Sequence, residues 1–217
     1  SKFICFSFKY KNIKFSNNYY FEMIEFTNII NLWLFILLMV GTPGPANLLT
    51  MSAGAQYGVA KCMPFNFGLI GGKLILNISM GLGLGLLLAN IYLLQFLFKF
   101  ISAGYMIYLA ITSWNSVSQG DEEQVIMGWR KGLLVHPLNP KAWVMVVIAW
   151  TEFGPNFGSF YYQIIIISLS FACFQLVLHT SWTFAGAILS KAFPNSLLLN
   201  RALILITISV VIWAVLI

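Results

Sequence analysis

The sequence contains very little charge. Only 8% of its 217 residues are Asp, Glu, Lys or Arg, whereas 59% are hydrophobic. Soluble domains carry roughly 25% charged residues, so this chain lacks the polar surface that a water-soluble fold requires. Its basic residues exceed its acidic ones and give a formal net charge of +6. They form no basic stripe interleaved with aromatic residues, so the pattern does not indicate nucleic-acid binding.

Cysteine is scarce, and the groups that carry enzyme chemistry are scattered. Cys5, Cys62 and Cys173 are isolated, so we expect no disulfide framework, no metal site and no cofactor. A membrane-embedded redox carrier would need two neighbouring thiols, and no Cys-x-x-Cys pair occurs. A membrane hydrolase would need a titratable cluster inside the spans, but His136 and His179 have no carboxylate nearby in sequence. The sequence therefore does not indicate an enzyme.

Long hydrophobic runs fill most of the chain. A bilayer core about 30 Å thick is crossed by roughly 20 helical residues, so the runs predict an all-α membrane protein with about six transmembrane helices. The predicted spans are residues 29–57 (with an internal break), 65–89, 93–114, 132–151, 161–189 and 197–217. Residues 1–22 read as an extension outside the fold, with Met23 as the expected start. Residues 23–217 are then one transmembrane domain.

Proline-rich segments interrupt two of the predicted spans. The first segment runs from Gly41 to Asn47 and reads GTPGPAN, and the second runs from His136 to Lys141 and reads HPLNPK. Each proline removes an amide donor and clashes with the preceding helical turn, so a continuous helix is not expected there. A short loop is expected around Lys61 and Pro64, between the first and second spans.

The two interruptions suggest an internal repeat. Pro43 and Pro137 lie 94 residues apart, and Pro45 and Pro140 lie 95 apart. The chain divides into three spans (residues 23–115), a polar loop with three acidic residues, and three more spans (residues 129–217). A repeat of three spans places its second copy upside down, as in secondary transporters whose broken helices meet at the substrate site. The alternative is two unrelated proline kinks.

The same residues carry a family resemblance. Thr42-Pro43-Gly44-Pro45, followed by Gly54 and Gly58, resembles the first-span signature of the lysine exporter and homoserine/threonine resistance (LysE/RhtB) family. Gly132-Leu133 and Asn139-Pro140-Lys141 resemble its second hallmark. The resemblance covers about residues 23–217. It implies a multi-pass exporter of amino acids or close derivatives in the bacterial inner membrane, driven by the proton gradient.

The broken spans predict where a solute would bind. A half-helix that begins after Pro45 or Pro140 points amide donors and a positive dipole into its break, which suits a carboxylate. Lys73 and Lys141 would repel a cationic solute, so neutral amino acids of the homoserine or threonine kind are favoured. Lys73 could instead snorkel to the interface. The candidate substrate-binding residues are Pro43, Gly44, Pro45, Asn47, Lys73, Asn139, Pro140 and Lys141.

Proton coupling is harder to assign, because no Asp or Glu lies well inside a span. His136 in the second break and His179 in the fifth span can titrate near neutral pH and are the candidates. His179 could equally be a helix–helix contact. An inactive or non-transport membrane subunit remains an alternative function. Glycines at four-residue spacing, such as Gly68 with Gly72, would let helices approach closely and are compatible with a homodimer.

Overall fold

The protein is all-helical in a computed structural model that describes residues 26–83, 92–112, 114, 128–193 and 197–216. The predicted extension, the acidic loop at 116–124, the end of the second span and Cys5 lie outside these residues. The seven helices in the described ranges are α1 (Phe26–Gly41), α2 (Pro45–Gly81), α3 (Tyr92–Thr112), α4 (Trp129–Val135), α5 (Pro140–Ile148), α6 (Phe160–Ala192) and α7 (Leu197–Leu216). A π-helical turn (Ala149–Phe153) and a 3-10 turn (Gly154–Phe157) extend α5.

Membrane-spanning length is reached by only some of these helices. Helices α2 and α6 are long and apolar enough to cross a bilayer, and α4 forms a third candidate together with residues 140–157, from which it is bent by 61°. Helix α1 and the apolar parts of α3 and α7 are shorter. Large side chains such as Leu38, Val177 and Leu205 are more than half exposed, as expected of surfaces that face lipid. By length and composition, two to three spans are therefore supported.

Helix α2 changes direction at Gly58, where φ is 75° and ψ is 167°. Its first segment (residues 45–57) and second segment (residues 59–81) both reach α6, because Gly54 and Asn66 each contact Thr183. Twelve residues of straight helix would separate them by about 18 Å, so the chain reverses between them. The expected loop at Lys61 and Pro64 is therefore wrong: both lie within the second segment. The positive φ that glycine tolerates places the turn earlier.

The helices interlock across the two halves of the chain. Helix α1 and the first segment of α2 pack along α6, where added Cβ atoms on Gly54 and Gly186 would lie 2.0 and 1.9 Å from the backbone oxygens of Thr183 and Met51. Helix α4 packs along the second segment of α2, where Gly68 and Gly132 permit a similar approach. Each broken helix thus lies against a long helix of the other half.

Candidate functional site

The first break lies between α1 and α2, at the predicted prolines. Gly44 is the N-cap of α2 and Pro45 takes its first position, where a missing amide hydrogen costs nothing. Two residues later, Asn47 folds back over the break. Its amide nitrogen donates to the carbonyl oxygens of Val40 at 2.7 Å and Thr42 at 2.9 Å. Asn47 therefore satisfies carbonyls that the end of α1 leaves without helical partners.

The second break lies between α4 and α5 and is closed by its own side chains. Asn139 is the N-cap of α5, and its side-chain oxygen accepts from the backbone N–H of Lys141 at 3.1 Å. The indole of Trp143 donates to the carbonyl oxygen of Pro137 at 2.7 Å, and Pro140 opens α5. This break has the same construction as the first: a proline at the start of a half-helix, with polar side chains covering the freed backbone.

A lysine from the second break reaches the first. The ammonium of Lys141 lies 3.0 Å from the carbonyl oxygen of Thr42, 2.8 Å from the Thr42 hydroxyl and 3.4 Å from the carbonyl oxygen of Pro43. Its methylene chain runs over Gly44, where an added Cβ would lie 3.0 Å from Lys141 Cδ. The two interruptions, about 95 residues apart in sequence, thus meet in space.

A chain of buried polar side chains runs from the first break to α6 and on to the second break. Asn47 Oδ1 lies 2.9 Å from His179 Nδ1, His179 Nε2 lies 3.2 Å from His136 Nε2, and Gln175 Nε2 lies 3.1 Å from His136 Nε2. All four side chains are at most 3% exposed. Helix α6 supplies His179 and Gln175 from one face, because residues four apart on a helix are neighbours.

Two proton arrangements satisfy this polar chain. The Asn47 nitrogen is committed to two carbonyls, so its oxygen faces His179 Nδ1, which must carry a hydrogen. If His179 is neutral, its Nε2 accepts from His136 Nε2, and Gln175 turns its oxygen towards His136 to share that single hydrogen. If His179 holds a second proton, its Nε2 donates, and the single lone pair of His136 Nε2 is shared between it and the Gln175 nitrogen. The two arrangements differ by one proton and one amide rotation.

These residues surround a small cleft. Its walls come from both breaks, α1 and α6, and its free volume is about 10 Å³, close to the space that one water molecule needs. The residues that line it are Met39, Val40, Gly44, Ala46, Asn47, His136, Asn139, Lys141, Met145, Gln175 and His179. Within the described part of the chain, His136 Nδ1 and Gln175 Oε1 have no hydrogen-bond partner. The cleft is too small for an amino acid in this conformation.

Comparison with known proteins matches this architecture to one family. A family model for LysE type translocators matches residues 36–216, a range that holds both breaks, the cleft and all the long helices. The chain belongs to the LysE type translocator family. It is thus a multi-pass membrane transport protein, and its family consists of transporters rather than enzymes.

Individual relatives are distant. An uncharacterized membrane protein of Vibrio cholerae is 24% identical over 182 residues, which cover 79% of this chain and 89% of the relative. An uncharacterized membrane protein of Pseudomonas aeruginosa is 27% identical over 139 residues, covering 58% of this chain and 64% of the relative. No solved structure matches the chain. The bacterial relatives agree with a membrane translocator and name no solute.

Of the two lysines predicted at the site of this translocator, Lys73 does not line the cleft. It is fully buried in the second segment of α2. Its ammonium lies 3.2 Å from the carbonyl oxygen of Ala142 and 4.2 Å from the centre of the Phe171 ring. Glu152, the only Asp or Glu among the described residues, is exposed. Lys73 is therefore held inside the protein by a carbonyl and a ring and does not extend to the protein surface, as snorkelling would require.

The other predicted site residues come together at the two breaks. Pro43 and Pro140 shape the backbone, while Gly44, Asn47, Asn139, Lys141 and both histidines line the cleft. Sequence reasoning missed Gln175 and the oxygens of Thr42. The spacing of Gln175 four residues before His179 was an available signal, since polar residues on one face of an apolar helix point to a buried partner. Nothing in sequence pairs the Thr42 oxygens with Lys141.

Proposed function

We propose that this translocator exports neutral amino acids, of the homoserine or threonine kind, across the bacterial inner membrane, and that the proton gradient drives it. The observation that carries the proposal is the meeting of two broken helices at one cleft, beside a buried hydrogen-bonded network that contains two histidines. Broken helices occur within the hydrocarbon core of a bilayer only where their unpaired backbone groups are buried in protein or line a water-filled cavity.

We infer the architecture from the way the two halves contact each other. His179 binds the side chain of Asn47, and Lys73 binds the carbonyl of Ala142. Asn47 and Ala142 lie 95 residues apart, which is the offset between Pro45 and Pro140. Asn47 lies two positions after Pro45, and Ala142 lies two positions after Pro140. Each of these two residues therefore binds one basic side chain from a long helix of the other half. This correspondence supports six spans arranged as two inverted three-helix repeats, residues 23–115 and 129–217.

Charge favours a neutral amino acid over a cationic one. Two half-helices begin at the breaks, and Lys73 and Lys141 lie beside them. The positive ends of both helix dipoles and two ammonium groups suit a carboxylate. Arginine or lysine would add a further cation in a place where the described residues offer no carboxylate. Among the predicted binding residues, Asn47 and Asn139 are the neutral hydrogen-bonding partners.

The histidine pair is our candidate for proton coupling. The two proton arrangements of Asn47, His179, His136 and Gln175 differ by a single proton. This hydrogen-bonded network contacts both breaks. Uptake of that proton turns the Gln175 amide, which lines the cleft. Proton binding and the shape of the solute site would then be linked through one side chain, as a coupled exporter requires.

The experiment is efflux from bacterial cells that express the full chain. Cells are loaded with dipeptides, which raise internal amino acids, and efflux is followed across neutral, acidic and basic amino acids. We expect faster efflux of a neutral amino acid, lost in Asn139→Ala and retained in Asn31→Ala, whose side chain is exposed. Efflux of arginine or lysine would contradict the charge argument. No efflux from inserted, folded protein would favour a non-transport membrane subunit.

A further inference from the structure

The oxygens around Thr42 already hold a primary ammonium group, that of Lys141. Three oxygens lie at 2.8, 3.0 and 3.4 Å from its nitrogen, one for each hydrogen that an ammonium can donate. All three belong to the first break, whereas the lysine comes from the second. The contact is therefore made between the two halves of the chain.

The position of these oxygens explains why a cation binds there. They follow the C-terminal end of α1, where carbonyl groups lack helical partners and the helix dipole is negative. Thr42 and Pro43 are exposed in the structure. In a bilayer, exposed carbonyls and an ammonium at a helix break must face a water-filled space rather than lipid. A solute in that space could therefore reach the same oxygens.

Lys141 is also part of the cleft lining. Its side chain and Gly44 both line the cleft, and an added Cβ on Gly44 would lie 3.2 Å from the Lys141 nitrogen. The free volume of the cleft is about 10 Å³ with the lysine in place. Withdrawal of this long side chain would widen the cleft at its mouth and uncover the three oxygens together.

We propose that the oxygens of Thr42 and Pro43 form a binding subsite for a primary ammonium, which Lys141 fills when no solute is bound. The α-ammonium of an incoming amino acid takes this subsite, and the released Lys141 ammonium pairs with the solute carboxylate. No charge is left without a partner at either stage. This assignment rests on the proposed function in naming an amino acid as the natural ligand, but the subsite itself is defined by a primary ammonium of any source.

The test removes the resident ammonium and supplies a free one. Lys141→Ala in detergent is titrated with n-butylammonium while its thermal midpoint, Tm, is recorded. We expect a saturable rise of roughly 5–10 °C at concentrations about a hundredfold above Kd. Wild type, Lys61→Ala (an exposed lysine) and a quaternary butyltrimethylammonium probe, which has no N–H donors, should give no saturable rise.

An equal response in Lys141→Ala and Lys61→Ala would overturn the subsite. If Lys141→Ala does not fold, Lys141→Met keeps the apolar stem and takes its place. It is titrated with methylammonium, which is small enough to sit beside the methionine. The absence of a saturable rise in Tm there would overturn the proposal as well. The titration involves no transport. A saturable rise in a protein that exports nothing would uphold the subsite and reject the exporter, whereas export without such a rise would do the reverse.

Discussion

Asn47 offers the most direct test of how the first break is held together. In Asn47→Ala, the Val40 carbonyl and His179 Nδ1–H lose their partner inside the protein, whereas the Thr42 carbonyl keeps Lys141. A buried polar group left unpaired costs about 1–3 kcal/mol, so two such groups cost about 2–6 kcal/mol. Asn139→Ala removes one N-cap bond, which is worth about 1 kcal/mol.

The assay is the thermal midpoint of purified protein in one detergent. For chains of this size, 1 kcal/mol shifts Tm by roughly 2–4 °C, so Asn139→Ala should fall by about that amount and Asn47→Ala by at least twice as much. Asn47→Leu keeps a similar side-chain size and adds no charge but cannot donate to either carbonyl. A fall as large as that of Asn47→Ala would assign the loss to hydrogen bonds rather than to a cavity. Equal shifts for Asn47→Ala and Asn139→Ala would refute the reasoning.

Three further predictions address coupling, packing and the buried lysine. His179→Gln keeps a hydrogen-bonding side chain but cannot hold the extra proton. Exchange of solute across the membrane should therefore continue, whereas an imposed pH gradient should no longer accelerate efflux. Acceleration equal to that of wild type would contradict this. Gly186→Ala places a Cβ against the Met51 carbonyl and should destabilise the fold by about 1–3 kcal/mol. Gly104 has open space around it, so Gly104→Ala should not lower Tm. Similar Tm values for the two variants would count against the close approach of the helices. Lys73→Met removes a fully buried ammonium at similar volume and should raise Tm while reducing export; a lowered Tm with unchanged export would show that Lys73 has only a structural part.

The position of the breaks could be predicted from sequence because proline acts locally. A missing amide hydrogen and a steric clash are properties of Pro43, Pro45, Pro137 and Pro140 wherever they occur in a helix, and the structure has breaks at both places. The turn between the first and second spans was harder. Pro64 drew the expectation of a loop, but its loss of a single backbone bond is tolerated inside the second segment of α2, and Gly58 makes the turn.

The composition of the cleft could be predicted only in part, because it depends on packing between distant segments. Asn47, Asn139 and Lys141 stand out through their place beside the prolines. Gln175 stands out only through its place four residues before His179, and nothing in the sequence identifies His136 as its partner. The burial of Lys73 likewise depends on Ala142 and Phe171, which come from two other helices. Periodicity along one helix carries no information about such neighbours.

The interlocking of the two halves has a consequence for biosynthesis. Asn47 is separated from His179 by 132 residues, so a ribosome must complete most of the chain before the first break gains its α6 partner. Until then, the Asn47 side-chain oxygen and the oxygens of Thr42 lack the partners that His179 and Lys141 provide, and lipid cannot supply them. Nascent chains truncated before α6 should therefore stay associated with insertion factors or be degraded. The first break of this translocator is therefore complete only after the second half of the chain has been made.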